Sequence, residues 1–159
     1  MKKIAVIGIG SYLYEDQLGW LVVDELQKMN ISDEVLYFNS KGNSLDWLDA
    51  IKGVDHVIFV DAVYSDEKTG FIHSFPITSD FSDTAVWLAN SSHNLSLISN
   101  IQLAVNIGDL TLPVQFIGGE IDQNAEDVSP QLLTSVVKTV LNDISTILAS
   151  QVFPIASRN

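Results

Sequence analysis

The feature that most constrains the fold is an unbroken apolar run at residues 57–60, Val-Ile-Phe-Val, which leads directly into Asp61. Continuous apolar runs of this kind, unlike alternating ones, are typical of strands buried on both faces of a parallel sheet. We therefore predict a central strand with Asp61 at its carboxyl end, which is where open α/β sheets bind their ligands. Aspartate is also common where strands end in turns, so a structural turn residue is the alternative.

Hydrophobic periodicity predicts alternating strands and helices along the rest of the chain. Apolar runs predict strands at residues 3–8, 34–38 and 112–117, and helical spacing predicts helices at 16–29, at 44–51, from 95 onwards and from 130 to about 150. Residues 71–75 alternate and stop at Pro76, as an edge strand should, and the short connection makes this strand antiparallel to its predecessor. Residues 78–89 are left unassigned.

Length and composition indicate one domain spanning residues 1–159. The 159 residues are 47% hydrophobic, which allows a sizeable core, and they contain no repeat, linker or low-complexity segment. No apolar run approaches the roughly 18 residues of a membrane helix. The first residues lack a signal-peptide cleavage site. We therefore expect a cytoplasmic α/β protein that does not insert into membranes.

Charge and residue types exclude several functional classes. Twenty acidic and eight basic side chains give a formal net charge of -12, which disfavours nucleic acid and anionic membranes, although solubility alone explains most of these acids. The absence of cysteine excludes thiolate nucleophiles and zinc-cysteine sites. Leu13 stands where a dinucleotide fingerprint needs its third glycine, and neither a phosphate loop nor a Gly-x-Ser-x-Gly elbow occurs. No nucleotide cofactor is expected.

Several acidic residues follow the predicted parallel strands: Glu15 and Asp16 after the first, Asp61 after the third, and Glu120 and Asp122 after the last. Glu15 and Asp16 are predicted in the first turn of a helix, where its dipole favours negative charge. His93, near the start of another predicted helix, can face the same edge as a neutral imidazole. Two carboxylates and one neutral imidazole suit a hard-to-borderline divalent metal, but spacing alone does not prove that they converge.

The remaining histidines and the tryptophans have structural interpretations. His56 and His73 lie in or next to strands, so we expect them to be structural or solvent-facing. The tryptophans are expected in the core or lining a groove: Trp20, Trp47 and Trp87.

Four short motifs occur in an informative order: Ile-Gly-Ile-Gly at 7–10 with Glu-Asp-Gln-Leu-Gly-Trp at 15–20; Val-Asp-Ala-Val at 60–63 with Gly70; Ser-Ser-His-Asn-Leu at 91–95; and Gly-Gly-Glu at 118–120 before Ser129-Pro130. Together they extend over most of the chain. In these motifs the sequence resembles the [NiFe]-hydrogenase maturation endopeptidase family. The resemblance implies a three-layer α/β/α sandwich of phosphorylase/hydrolase-like type, whose five-stranded, twisted sheet is mostly parallel with one antiparallel edge strand.

The resemblance also implies a function. Family members remove a C-terminal peptide from the hydrogenase large-subunit precursor after nickel insertion. Matched motif by motif, the family's metal-contacting residues fall on Asp16, Asp61 and His93, which become the expected catalytic residues and metal ligands. Nickel is expected to arrive with the precursor, which is the expected partner, and the endopeptidase itself is expected to be a monomer.

Two departures from the family pattern concern substrate choice. The first loop is one residue shorter and has Ser11 where asparagine is common, and Asn-Ser-Lys-Gly at 39–42 replaces a glycine-rich segment. The alternative function is a non-catalytic metal-centre chaperone or binding module on the same fold. The sequence leaves open which carboxylate is the general base and what Glu15, Glu120 and Asp122 do.

Overall fold

The computed structural model describes residues 2–12, 17–77, 95–108, 110–122, 124 and 127–150. Its strands are β1 (Ile4–Ile9), β2 (Val35–Ser40), β3 (His56–Val63), β4 (Ile72–Ile77) and β5 (Val114–Glu120). The α-helices of the described ranges are α1 (Leu18–Met29), α2 (Leu95–Asn106) and α3 (Pro130–Ala149), and a 3-10 helix covers Asp49–Ile51. Residues 78–89, which the sequence left unassigned, lie outside these ranges.

The strands form one five-stranded sheet in the order β2-β1-β3-β5-β4. All neighbouring pairs are parallel except β4 with β5, so the predicted mostly parallel sheet with one antiparallel edge strand is confirmed. As predicted, β4 runs antiparallel to its predecessor β3, since β5 is parallel to β3 and antiparallel to β4, but β3 and β4 are not neighbours in the sheet. Both edges of β3 are already paired, with β1 and β5, so β4 pairs with the outer edge of β5.

The sheet separates two apolar cores, which gives the three layers. Phe59 and Val63 of β3 belong to the core on the α2 side, whereas Ile58 and Val60 belong to the core shared with α1 and α3. Because side chains alternate between the faces of a strand, a strand covered on both faces must be apolar at successive positions. This explains the continuous apolar run, and β3 is the central strand that it predicted.

Residues 44–51 do not form the predicted α-helix. Turns and the short 3-10 helix Asp49–Ile51 replace it, and Trp47 is fully buried with its ring edge-on to Phe59 at 5.1 Å. The indole of Trp47 fills this part of the core, and the residues around it form turns instead of a regular helix. The structure therefore confirms a core position for Trp47 and corrects the element that carries it.

The helix ends are partly as predicted. Ser129 caps α3 by accepting a hydrogen bond from the Leu132 amide at 3.1 Å, and Pro130 occupies the first turn, as expected. By contrast α1 as described begins at Leu18, and its first turn contains no acidic residue. Glu15 and Asp16, which were predicted in the first turn, lie outside the described residues, so that prediction stays untested.

One described helix, α3, is long and apolar enough to cross a membrane by length and composition. Buried helices of globular cores pass the same test. The inward residues of α3, including Val136, Val140 and Ile144, pack in the core that also contains Leu26 of α1.

The start of α1 lies directly against the sheet at Gly19. A Cβ built on Gly19 would lie 2.5 Å from the Ile9 nitrogen and closer still to the carbonyl oxygens of Ile9 and Val60. Those atoms belong to paired strands and cannot move aside cheaply. Gly19 therefore allows the first turn of α1 to contact β1 and β3 immediately before Asp61.

We expect Gly19→Ala to lower the free energy of unfolding by about 3 kcal/mol, because the methyl group would overlap backbone atoms. Alanine has a higher helix propensity than glycine, by up to about 1 kcal/mol, so a net loss of stability must come from the overlap of the added methyl group. Urea denaturation should show the loss, with Gln27→Ala on the exposed side of α1 as a control that stays near wild type. Unchanged stability of Gly19→Ala would contradict the close approach.

Candidate active site

Asp61 is a buried carboxylate inside β3, two residues before the strand ends, with 7% of its surface exposed. Alternation places its side chain on the α2 side of the sheet, the face of Phe59 and Val63. Its Oδ1 accepts a hydrogen bond from the Ala62 amide at 2.8 Å. Asp61 therefore lies near the predicted carboxyl end of the central strand, but within the sheet rather than in a following turn.

Asp16 and His93 lie outside the described residues. Their nearest described neighbours begin α1 and α2, at Gln17 and Leu95. The structure therefore leaves the convergence of Asp16, Asp61 and His93 as a prediction.

The starts of both helices nevertheless lie at the carboxyl edge of the sheet. Gly19 of α1 approaches the backbone of Ile9 and Val60, as described above. In the first turn of α2, Leu97 lies near Gly42, since a Cβ built on Gly42 would lie 3.8 Å from the Leu97 Cβ, and one turn further on the Asn100 amide donates to the Gly42 carbonyl at 3.2 Å. Gly42 follows the end of β2. The chain is thus arranged so that two helices begin near the edge that Asp61 approaches.

Glu120, which the sequence placed after the last parallel strand without a role, is the last residue of β5 and a buried structural anchor with 1% of its surface exposed. Its Oε1 lies 2.9 Å from Nε2 of the buried His73 and also accepts a hydrogen bond from the Ser65 hydroxyl. Its Oε2 accepts from the Ser65 amide at 3.1 Å. His73 is therefore structural and buried, which confirms one of the two predicted interpretations.

Backbone hydrogen bonds add to this anchor. The Glu120 carbonyl accepts from the Gly70 amide, and the Glu120 amide donates to the Phe71 carbonyl, both at 2.9 Å. The Ser65 contacts hold the start of the loop between β3 and β4, and these bonds hold its end. Glu120 thus fixes a loop that begins three residues after Asp61.

The grouping of Ser65, Glu120 and His73 does not form a serine-hydrolase triad. In such a triad the histidine lies between serine and carboxylate, so that it can accept the hydroxyl proton. Here the carboxylate of Glu120 contacts both other side chains. The serine hydroxyl donates to Glu120 and is not activated by His73, in agreement with the missing Gly-x-Ser-x-Gly elbow.

Within the described ranges, no three His, Asp or Glu side chains form a group that could hold a metal ion. Asp122, another acid singled out by the sequence, accepts a hydrogen bond from the Asn124 amide at 2.9 Å in an exposed turn. A metal site at this edge therefore depends on residues beyond the described ranges, such as Asp16 and His93, acting together with Asp61.

The periodicity of the sequence indicates which side of β4 His73 faces, but not that Glu120 is its partner. His73 alternates with Phe71 and Phe75, which predicts that all three face one side of β4. Glu120 directly extends an apolar strand interrupted only by two glycines. An inward histidine and an acid ending a buried strand are natural partners, but their strands are distant in sequence and only the sheet order brings them together.

The fold is that of solved hydrogenase maturation endopeptidases. The Escherichia coli hydrogenase maturating endopeptidase HybD superposes with a TM-score of 0.71 at 18% identity, over 91% of this chain and 93% of that one. A [NiFe] hydrogenase maturation protease HycI from Thermococcus kodakarensis gives a TM-score of 0.66 at 22% identity, over 93% of each chain. These likenesses define an α/β fold shared with maturation endopeptidases.

Sequence comparison identifies the family itself. The profile of the hydrogenase maturation proteases matches residues 20–151, which include Asp61 and His93 and begin after Asp16. A Methanocaldococcus jannaschii protein, provisionally named as a hydrogenase maturation protease, is 27% identical over 150 residues, 92% of this chain and 95% of its own length. The chain belongs to the hydrogenase maturation protease family and is an endopeptidase of hydrogenase maturation.

Proposed function

We propose that this endopeptidase removes the C-terminal peptide of a [NiFe]-hydrogenase large-subunit precursor after nickel has been inserted, and that the precursor itself supplies the nickel. The observation that carries the proposal is the Asp61 carboxylate, 7% exposed, inside the central strand. Asp61 lies near the carboxyl edge of the sheet, where open α/β sheets bind their ligands, and a carboxylate there is a suitable ligand for a divalent cation. Membership of the maturation proteases supports hydrolysis as the reaction.

In the proposed reaction Asp16, Asp61 and His93 bind the nickel centre presented by the precursor. Two carboxylates and a neutral imidazole are suitable ligands for such a borderline divalent ion. The ion would polarise the scissile carbonyl or an attacking water. This role replaces the thiolate nucleophile that a chain without cysteine does not have.

The protein's own groups then handle water and protons. Water oxygen bonds to the carbonyl carbon, Asp16 or Asp61 accepts a water proton as general base, and the carbon-nitrogen bond breaks with a proton passing to the leaving amine. The products are the mature large subunit with a new carboxylate and a short peptide with a free amine. The fixed β3 strand and the loop anchored by Glu120 hold Asp61 in one position during these steps.

Processing of precursor in two metal states tests the proposal. We expect the purified chain to shorten a nickel-loaded precursor of the hydrogenase from the same organism, and to leave the nickel-free precursor intact, with intact-protein mass spectrometry as the readout. Shortening of both forms would show that cleavage does not depend on nickel. Tight binding of the loaded precursor without shortening would favour the alternative, a non-catalytic metal-centre chaperone.

We also propose a cytoplasmic location and a monomer, as the sequence predicts. Nucleic acid and anionic membranes are poor partners for a chain of formal net charge -12. Sedimentation analysis of the purified protein tests the monomer directly.

A further inference from the structure

A pocket of about 540 Å³ opens where β1 and β2 end. Tyr12, which follows β1, has 79% of its surface exposed and meets the Trp20 ring edge-on, with centroids 5.3 Å apart. Lys41, which follows β2, places its Nζ 5.3 Å from the centre of the Tyr12 ring. We call this pocket, defined by Tyr12, Trp20 and Lys41, the aromatic-lysine pocket.

The walls of the aromatic-lysine pocket are fixed by hydrogen bonds. Trp20 Nε1 donates to the Ser40 carbonyl at 3.0 Å, which ties α1 to the end of β2. The buried Ser40 hydroxyl donates to Asp46 at 2.6 Å and accepts from the Gly42 amide at 3.0 Å. A pocket whose walls are held in this way is preorganised, so a ligand need not order the loop when it binds.

The charge of Lys41 indicates the kind of ligand. Two other lysines of this acidic chain, Lys28 and Lys52, form ion pairs with acidic residues three or four positions away. Among the described residues no carboxylate lies within ion-pair distance of Lys41, whose ammonium group instead lies over the Tyr12 ring. Lys41 lines the pocket together with Asp46, whose carboxylate accepts a hydrogen bond from the Ser40 hydroxyl, so the Lys41 ammonium group can contact an anionic group that enters the pocket.

The position of the aromatic-lysine pocket relates it to Asp61. Trp20 follows Gly19, which contacts β1 and β3, and the pocket extends from there to the end of β2. Neighbouring strands lie about 4.8 Å apart, so the end of β2 is about 10 Å from β3. An extended peptide advances about 3.3 Å per residue, so this distance corresponds to about three residues.

We propose that the aromatic-lysine pocket is a specificity subsite that binds an acidic side chain of the precursor about three residues from the scissile bond. The carboxylate contacts Lys41, and the stem of the side chain lies against Tyr12 and Trp20. This inference rests on the proposed function, because it takes the precursor as the peptide that crosses the site. It gives an acidic protein a way to recognise an acidic segment, through Lys41, the cation among the described residues that line this pocket.

Charge reversal on both sides of the contact tests the subsite. We expect Lys41→Glu to raise KM for the nickel-loaded precursor about tenfold with little change in kcat, because a remote contact contributes to binding and not to the chemical step. A precursor with the matching acidic residue changed to lysine should be a poor substrate for wild type and should regain its KM with Lys41→Glu. Lys138→Glu on the exposed side of α3 is the control of equal charge change and should behave as wild type.

A binding measurement separates this inference from the proposed function. A fluorescein-labelled peptide spanning the precursor's cleavage segment, with an amidated C-terminus, is titrated with the Asp61→Asn variant with and without Lys41→Glu. Loss of about tenfold in affinity with Lys41→Glu supports the subsite even if no precursor is processed. Equal affinities, a cleavage segment without an acidic residue, or binding that requires the free C-terminal carboxylate would overturn it.

Discussion

Asp61→Asn is expected to lower precursor processing at least about 100-fold while the protein remains folded. Asparagine keeps an oxygen that can accept the Ala62 amide bond but removes the charge that would bind the cation. A group that stabilises charge in the transition state is worth about 10²–10³ in kcat when removed. Single-turnover cleavage of nickel-loaded precursor, with circular dichroism melting on the same samples, measures both effects.

The same experiment extends to Asp16→Ala and His93→Ala. If the three residues act as one unit on one metal, each substitution should abolish most processing, and combining them should add little, because effects within a catalytic unit are strongly non-additive. Each should cost at most about 1–2 kcal/mol in stability. Asp66→Ala, in the exposed turn after β3, is the matched control and should process normally. Normal cleavage by His93→Ala, or melting losses that track activity losses, would end the metal-site interpretation.

Glu120→Ala is expected to lower the free energy of unfolding by about 3 kcal/mol, because each buried polar group left without a hydrogen-bond partner costs about 1–3 kcal/mol. The substitution leaves the His73 ring and the Ser65 amide and hydroxyl without the carboxylate that binds them. It also leaves a cavity between β4 and the loop after β3. Guanidinium denaturation at neutral pH measures the loss.

Two further variants separate the anchor from a general effect of removing an acid. Asp122→Ala, in the exposed turn just after Glu120, should change stability by less than about 1 kcal/mol. Glu120→Gln keeps the shape and should lose less than Glu120→Ala, because the amide oxygen still accepts a hydrogen bond. If Glu120→Ala unfolds at the same denaturant concentration as wild type, the anchor contributes no stability and the account of this loop is wrong.

The sequence predicted the parts of the fold that depend on local pattern. The apolar run before Asp61 identified the central strand because both faces of that strand are covered, and Ser129-Pro130 identified the start of α3 because capping is a local interaction. It failed where distant segments decide the outcome. Neither the pairing of β4 with β5 nor the burial of Trp47 in place of a helix follows from nearby residues.

The candidate site shows the same division. Motif order selected Asp16, Asp61 and His93, and periodicity placed Asp61 correctly on the central strand near its carboxyl end. The role of Glu120 was left open because a carboxylate after an apolar strand has the same local pattern whether it faces solvent or a buried histidine. Its partners His73 and Ser65 lie 47 and 55 residues away in the sequence, so only the sheet order reveals the contact.

Hydrolysis of the precursor in water enriched in oxygen-18 would show whether this chain cleaves the precursor with water as the nucleophile and Asp61 in its active site. Nickel-loaded precursor is incubated with the wild-type chain and, in parallel, with Asp61→Asn, and the products are analysed by mass spectrometry. We expect a shortened large subunit whose new C-terminal carboxylate carries one oxygen-18 per cleavage, together with the released peptide, and almost no product with Asp61→Asn. A loaded precursor of unchanged mass after incubation with the wild-type chain, or equal cleavage by Asp61→Asn, would contradict this expectation.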